Sequence, residues 1–116
     1  MIVYDLSESV PANGTANPSL PLPFGLLRAL FFWGEVGSAG QLYVDAALDH
    51  RDGAVQHLFL PASKNPNRPS YMLCPEGFAP DLNLNIPIQA GWYLNVGWSN
   101  EDATNPHIGH LWAMIE

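Results

Sequence analysis

Basic residues, cysteine and long apolar runs are the three things this sequence has little of. Only Arg28, Arg51, Lys64 and Arg68 are basic, against eleven carboxylates, for a net charge of −7 over 116 residues. A phosphate backbone is bound through several Lys or Arg contacts, so this imbalance excludes nucleic acid as a partner, and it disfavours anionic membrane surfaces equally. Cys74 is the one cysteine, which rules out an intrachain disulfide and any CxxC zinc or redox motif and leaves a buried thiol as the expectation. The longest apolar run, 24–33, is about half the ~20 residues that span a bilayer. Its Arg28 interrupts even that. The first residues lack the basic stretch and apolar run of a secretory signal, so the expected product is soluble and made inside a cell. The sequon Asn13-Gly14-Thr15 then reads as turn chemistry rather than as a glycan acceptor.

Apolar residues are plentiful. They make up 47% of the chain, aromatics 11%, alongside 10 Gly and 11 Pro. That is ample for one packed core and too punctuated for long helices, since a Pro inside a helix costs about 3 kcal/mol and a Gly about 1 kcal/mol relative to Ala. Period-two patterning supplies the strands. Residues 1–6 read as a short strand. Residues 24–33 are nearly continuous apolar, as for a central strand buried on both faces. Leu42, Val44 and Ala46 alternate with Gln41, Tyr43 and Asp45. A polar turn ending in Asp52-Gly53 leads to 54–60 as the second arm of a hairpin, with Val55, His57 and Phe59 on one face. A loop over 61–69 holds Lys64 and Arg68, and 71–74 is a short edge strand. Leu82, Leu84, Ile86 and Ile88 alternate with Asn83, Asn85 and Pro87, Pro87 marking an edge or a bulge. Trp92, Leu94, Val96 and Trp98 alternate with Tyr93, Asn95 and Gly97, and 107–115 is the last strand. About seven or eight short antiparallel strands predict an all-β fold, a single β-sandwich of jelly-roll type over 24–116. Residues 1–23 stand apart as a strand followed by a Pro-rich segment, 7–23, that cannot form a helix or a central strand. That segment is either a surface loop or an extended arm laid on a neighbouring subunit.

No constellation specifies a reaction. His107-Ile108-Gly109-His110 matches the HIGH tetrapeptide of one tRNA synthetase class but lacks its nucleotide-binding context. On a strand, His107 and His110 face opposite ways and cannot share a metal. His50 lies in a turn, and His57 beside Val55 and Phe59 reads as a core histidine. Asp45, Asp49 and Asp52 lack the spacing of a calcium loop. No nucleophile elbow occurs, and Glu101 and Asp102 lie in a solvated loop. The expectation is no enzyme, no metal and no cofactor. Trp92 and Trp98 read as core, but an exposed Trp98 beside Tyr93, Asn95 and Asn100 would make a flat aromatic and amide platform for sugar stacking. A carbohydrate-binding module is thus the first alternative, and a small cupin-like metal enzyme using His50 or His57 the second.

The stretch from Leu82 onward, with its Pro87-Ile88-Gln89-Ala90-Gly91 turn, alternating strand, Asn-rich loop and last strand, resembles the closing hairpin of small β-sandwich proteins in tailed-phage virions. The resemblance covers about a third of the chain. It implies a head-decoration or accessory protein, made in the host cytoplasm and resident in the virion, that binds a capsid or tail lattice and forms a homo-oligomer. Apolar anchors for that contact are expected at Val10, Pro11, Leu20, Leu22 and Phe24 of the arm and at Phe32 and Trp33 of the first long strand.

Overall fold

Where apolar residues recur at every second position, a strand can bury one face and leave the other to solvent. Residues 1–59 and 70–116 of the computed structural model are described here, and eleven strands occur among them, with no helix. In chain order these are β1 (Ile2–Asp5), β2 (Glu8–Val10), β3 (Thr15–Ala16), β4 (Ser19–Pro21), β5 (Gly25–Gly34), β6 (Leu42–Asp49), β7 (Val55–His57), β8 (Met72–Leu73), β9 (Asp81–Ile88), β10 (Tyr93–Asn100) and β11 (His107–Ile115). They form two antiparallel sheets. The first runs β1-β11-β5-β9, with β2 continuing the β1 edge along β11; the second runs β3-β10-β6-β7, with β4 also on β10 and β8 also on β6. The chain is an all-β sandwich.

The core lies between the sheets. Leu27, Leu30, Phe32, Leu111, Ala113 and Ile115 from the first sheet join Leu42, Val44, Leu48, Leu94, Val96 and Trp98 from the second in one buried cluster. Each fully buried Leu or Val there contributes about 1.5–3 kcal/mol. Trp98 is the largest side chain in that cluster. It fits because Gly109, opposite it on β11, has no side chain: a Cβ there would stand 2.4 Å from the indole ring. The indole N–H is satisfied by the carbonyl of Leu6 at 3.2 Å.

The segment 7–23 is not a free arm. Its first part, β2, pairs with β11 on the first sheet, and the chain then turns at Asn13-Gly14 and crosses to the second sheet, where β3 and β4 pair with β10. Val10 and Leu22 are buried in this chain's own core, and Leu20 packs against it. These three anchors are therefore spent within the sandwich and are not free to plug a neighbour. The prolines are tolerated because the segment forms sheet edges, where a missing donor costs nothing: Pro18 accepts from Val96 N, and the next donor after Pro21, Leu22 N, reaches Trp92 O at 2.8 Å. Asn100, buried on β10, fastens the crossing by donating from Nδ2 to the carbonyls of Val10 and Pro11. Residues 1–23 thus contribute to both sheets, which raises the strand number above the seven or eight read from the pattern.

One further expectation changes. The strands at 82–88 and 93–100 do not form a hairpin, because the turn between them carries the chain from the first sheet to the second. Pro87 does sit on an edge strand, β9, whose pairing with β5 shifts register between Leu27 and Ala29, with Asn85 at φ +53°. Lys64, Arg68 and the loop over 61–69 lie outside the described residues.

Candidate functional site

β5 and β11 are apolar on both parities, yet the sandwich covers only their inner face. The sequence run 24–33 therefore encodes not a doubly buried strand but one buried face and one half-buried face that carries Phe31 and Trp33. Directly opposed residues in an antiparallel ladder share a face, so the register defines the outer surface of the first sheet. One rung reads Asp5, Trp112, Phe31, Asp81 across β1, β11, β5 and β9. The next reads Val3, Met114, Ala29, Asn83. On the other side of the first rung lie His110 and Trp33, paired across β11 and β5. The two central strands make an aromatic and apolar floor. Short polar side chains rail it on both sides: Asp5 and Ser7 along one margin, Asp81 and Asn83 along the other.

The floor is held in a defined shape. Trp33 meets Trp112 edge to face at 4.9 Å and 90°, and stacks on His110 at 4.8 Å. His110 is itself fixed by Glu35 Oε1, 2.9 Å from Nε2, and by Ser7 Oγ, 3.2 Å from Nδ1. Trp112 is 41% exposed and Val3 54%. A shallow groove of about 240 Å³ lies between Val3, Phe31, Trp112 and Met114. Phe31 and Met114 also border a second depression, where Arg28, Asp81, Asn83 and Asn85 add polar groups. Arg28 Nη1 is paired with Glu116 at 2.9 Å. Hydrogen bonds from Ser7, with a smaller contribution from His110, hold the Asp5 carboxyl below the usual carboxylate range, so it is ionised at neutral pH.

The platform expected on β10 is divided by strand parity. Tyr93 and Asn95 point outward from the second sheet, where Ser19 Oγ donates to Asn95 Oδ1 at 2.6 Å and Arg51 lies over the Tyr93 ring at 4.8 Å. Trp98 and Asn100 point inward and are buried, so the four cannot touch one ligand. Phe32 likewise faces inward, 4.8 Å from Phe59, while its neighbour Trp33 belongs to the outer floor. Phe24 is 83% exposed, and Pro11 is exposed at the crossing turn. His57 is not a core residue: it faces out from the second sheet, its Nδ1 3.1 Å from Asp45 Oδ2. Burial pushes the Asp45 carboxyl up, with His57 opposing. Asp49 and Asp52 accept turn amides from Arg51 and Ala54. His50 stacks on Trp92 at 3.8 Å. Cys74 is buried and its thiol is pushed up to about 12, far from a nucleophile at neutral pH. Among the described residues no three His, Cys, Asp or Glu side chains cluster to hold a metal.

No family model matches the chain, and no curated protein sequence does. A solved structure does match. The chain is similar to the carbohydrate-binding module TmCBM61, solved in complex with β-1,4-galactotriose, with a TM-score of 0.50 and 12% identity over 95% of this chain and 69% of that one. At that identity the likeness concerns the β-sandwich fold alone.

Sequence reasoning missed the aromatic face because it sorted tryptophans by whether they alternate with polar residues. Trp33 was read as an anchor at the end of a doubly buried strand, and Trp112, among apolar neighbours, was assigned to neither face. The signal was a count: two strands apolar on both parities, where a two-layer sandwich buries only one face of each.

Proposed function

We propose that this chain is a non-catalytic binding domain that holds a carbohydrate on the outer face of its first sheet. The observation that carries this reading is the rung Asp5, Trp112, Phe31, Asp81, in which two aromatic rings lie side by side between hydrogen-bonding carboxylates. A pyranose has an apolar face of C–H groups and a polar rim of hydroxyls. In an oligosaccharide lying across the strands, the ring faces stack on Trp112 and Phe31, and the hydroxyls of one residue reach Asp5 and Ser7 while those of another reach Asp81 and Asn83. Few polar groups placed around an apolar floor is the usual composition of a small-ligand site. The floor is preorganised by the Trp33 and His110 contacts, which lowers the ordering cost of binding. That a sandwich of similar fold, TmCBM61, carries β-1,4-galactotriose agrees with the reading.

The experiment is calorimetric titration with a panel of oligosaccharides, galacto-, gluco-, N-acetylglucosamine and glucosamine oligomers among them, against the native chain and Trp112→Ala. Binding by at least one member, reduced at least about tenfold by the substitution, supports the reading. Binding by none overturns it.

A second reading rests on the exposed apolar residues Val3, Phe24, Ile108 and Trp112. In it the same face docks on an assembled virion lattice, and the chain stabilises the particle because it binds the assembled state alone. Co-sedimentation with particles, blocked by Trp112→Ala and indifferent to sugars, would favour it.

A further inference from the structure

Carboxylates outnumber cations among the described residues around the aromatic floor. Asp5 and Asp81 close the two ends of the Trp112–Phe31 rung, and Glu35 lies beside Trp33 through His110. Arg28 lies on this face in the same depression as Asp81 and is engaged by Glu116, and Arg51 lies over Tyr93 on the other sheet. Aromatic faces attract cations through the ring quadrupole, and Trp does so best. Carboxylates flanking such faces add charge-assisted hydrogen bonds to an ammonium and repel a carboxylate or sulfate. Asp5 and Asp81 stand three strand spacings apart, about 14 Å at about 4.8 Å each, so they meet separate residues of an extended oligomer rather than one ring.

Resting on the carbohydrate reading above, we infer that the face selects glycans bearing free amino groups, with ammonium groups at Asp5 and at Asp81 and the sugar rings lying across the strands on Trp112 and Phe31. Uronic and sulfated sugars are rejected by the same two carboxylates. Acetylating the amines removes the charge and leaves only stacking and neutral hydrogen bonds.

The test compares a β-1,4-linked glucosamine oligomer with its fully N-acetylated counterpart and an oligouronate of equal length, by calorimetry on the full chain. The glucosamine oligomer is expected to bind at least about tenfold more tightly than the acetylated one, the oligouronate not at all, and the advantage is expected to shrink when salt is raised about tenfold. The Asp5→Asn/Asp81→Asn variant should abolish the difference in affinity between the two oligomers. Asn retains the side-chain oxygen that accepts from Ser7 N, so the local fold survives, and near-ultraviolet circular dichroism checks it. Equal affinity for the two oligomers, or an advantage that persists in the double variant, overturns the amine inference. So does binding of neutral galacto- or gluco-oligomers with no binding of the glucosamine oligomer. In each of these cases a Trp112-dependent neutral sugar complex leaves the carbohydrate reading standing. Failure of every sugar to bind removes both.

Discussion

The two outer faces of the sandwich are built by the same alternation and carry opposite chemistry. On the second sheet the outward residues of β6 and β10 are Tyr43, Asp45, Ala47 and Asp49, and Tyr93, Asn95, Gly97 and Ser99. Their polar groups largely satisfy one another: Asp45 with His57, Asn95 with Ser19. Tyr71 covers Gly97, where a Cβ would stand 2.0 Å from its hydroxyl. On the first sheet the outward residues of β5 and β11 are Ala29, Phe31 and Trp33, and Ile108, His110, Trp112 and Met114. Of these, Ala29 is buried, Phe31, Trp33, His110 and Met114 are half-buried, and Ile108 and Trp112 are exposed. Contiguous exposed apolar surface invites association, which is why the proposed ligand is placed on the first sheet.

The comparison breaks most sharply on two tryptophans of the same size. Trp98→Ala empties the centre of the core and should cost about 3–5 kcal/mol, read from the urea midpoint. Trp112→Ala should change stability by no more than about 1 kcal/mol and yet lower ligand affinity at least about tenfold. If the two exchanged these effects, the assignment of inner and outer faces would be wrong.

A pH series sharpens it next. Hydrogen bonds from Thr104, His107 and Asn105 hold the Asp102 carboxyl well below its ordinary 3.8. Because the folded value is depressed, the stabilisation is fully present above about pH 4 and is lost as pH falls further, when the folded state must also take up the proton. Asp102→Asn should therefore be less stable than the native chain at pH 7, with the difference closing in acid. Asp45 has the opposite sign: its raised value makes the folded state bind a proton more readily, so its contribution falls as pH rises from the ordinary carboxylate value. The smallest effect belongs to Asn95→Ala. On the second sheet's outer face it should move stability by within about 0.5 kcal/mol and leave sugar affinity unchanged; an affinity loss there would place the ligand on the wrong sheet.

The strands of the body were legible because their inner residues alternate with polar ones: Leu42, Val44 and Ala46, or Leu94, Val96 and Trp98, could only face a core. The Pro-rich segment was misread as detached because proline reports what the backbone cannot donate, not whether an edge position needs a donor. Tyr93 and Asn95 were grouped with Trp98 and Asn100 by proximity along the chain, although positions of unlike parity leave opposite faces. The aromatic face itself was hidden by surplus. Where both parities are apolar, alternation carries no information about which side meets water.

One pairing bears on how the protein acquires its structure. Ile2 lies opposite Ile115, and β2 lies opposite the start of β11, so the first sheet is completed by contacts between the two ends of the chain. Closing that loop costs entropy before any contact repays it, which places the protein among slow, topologically complex folders, on a timescale of about milliseconds to seconds. A nascent chain on the ribosome would hold β5 without its β11 neighbour until residues 107–115 have been made, leaving Phe31 and Trp33 on an unpaired edge in the meantime.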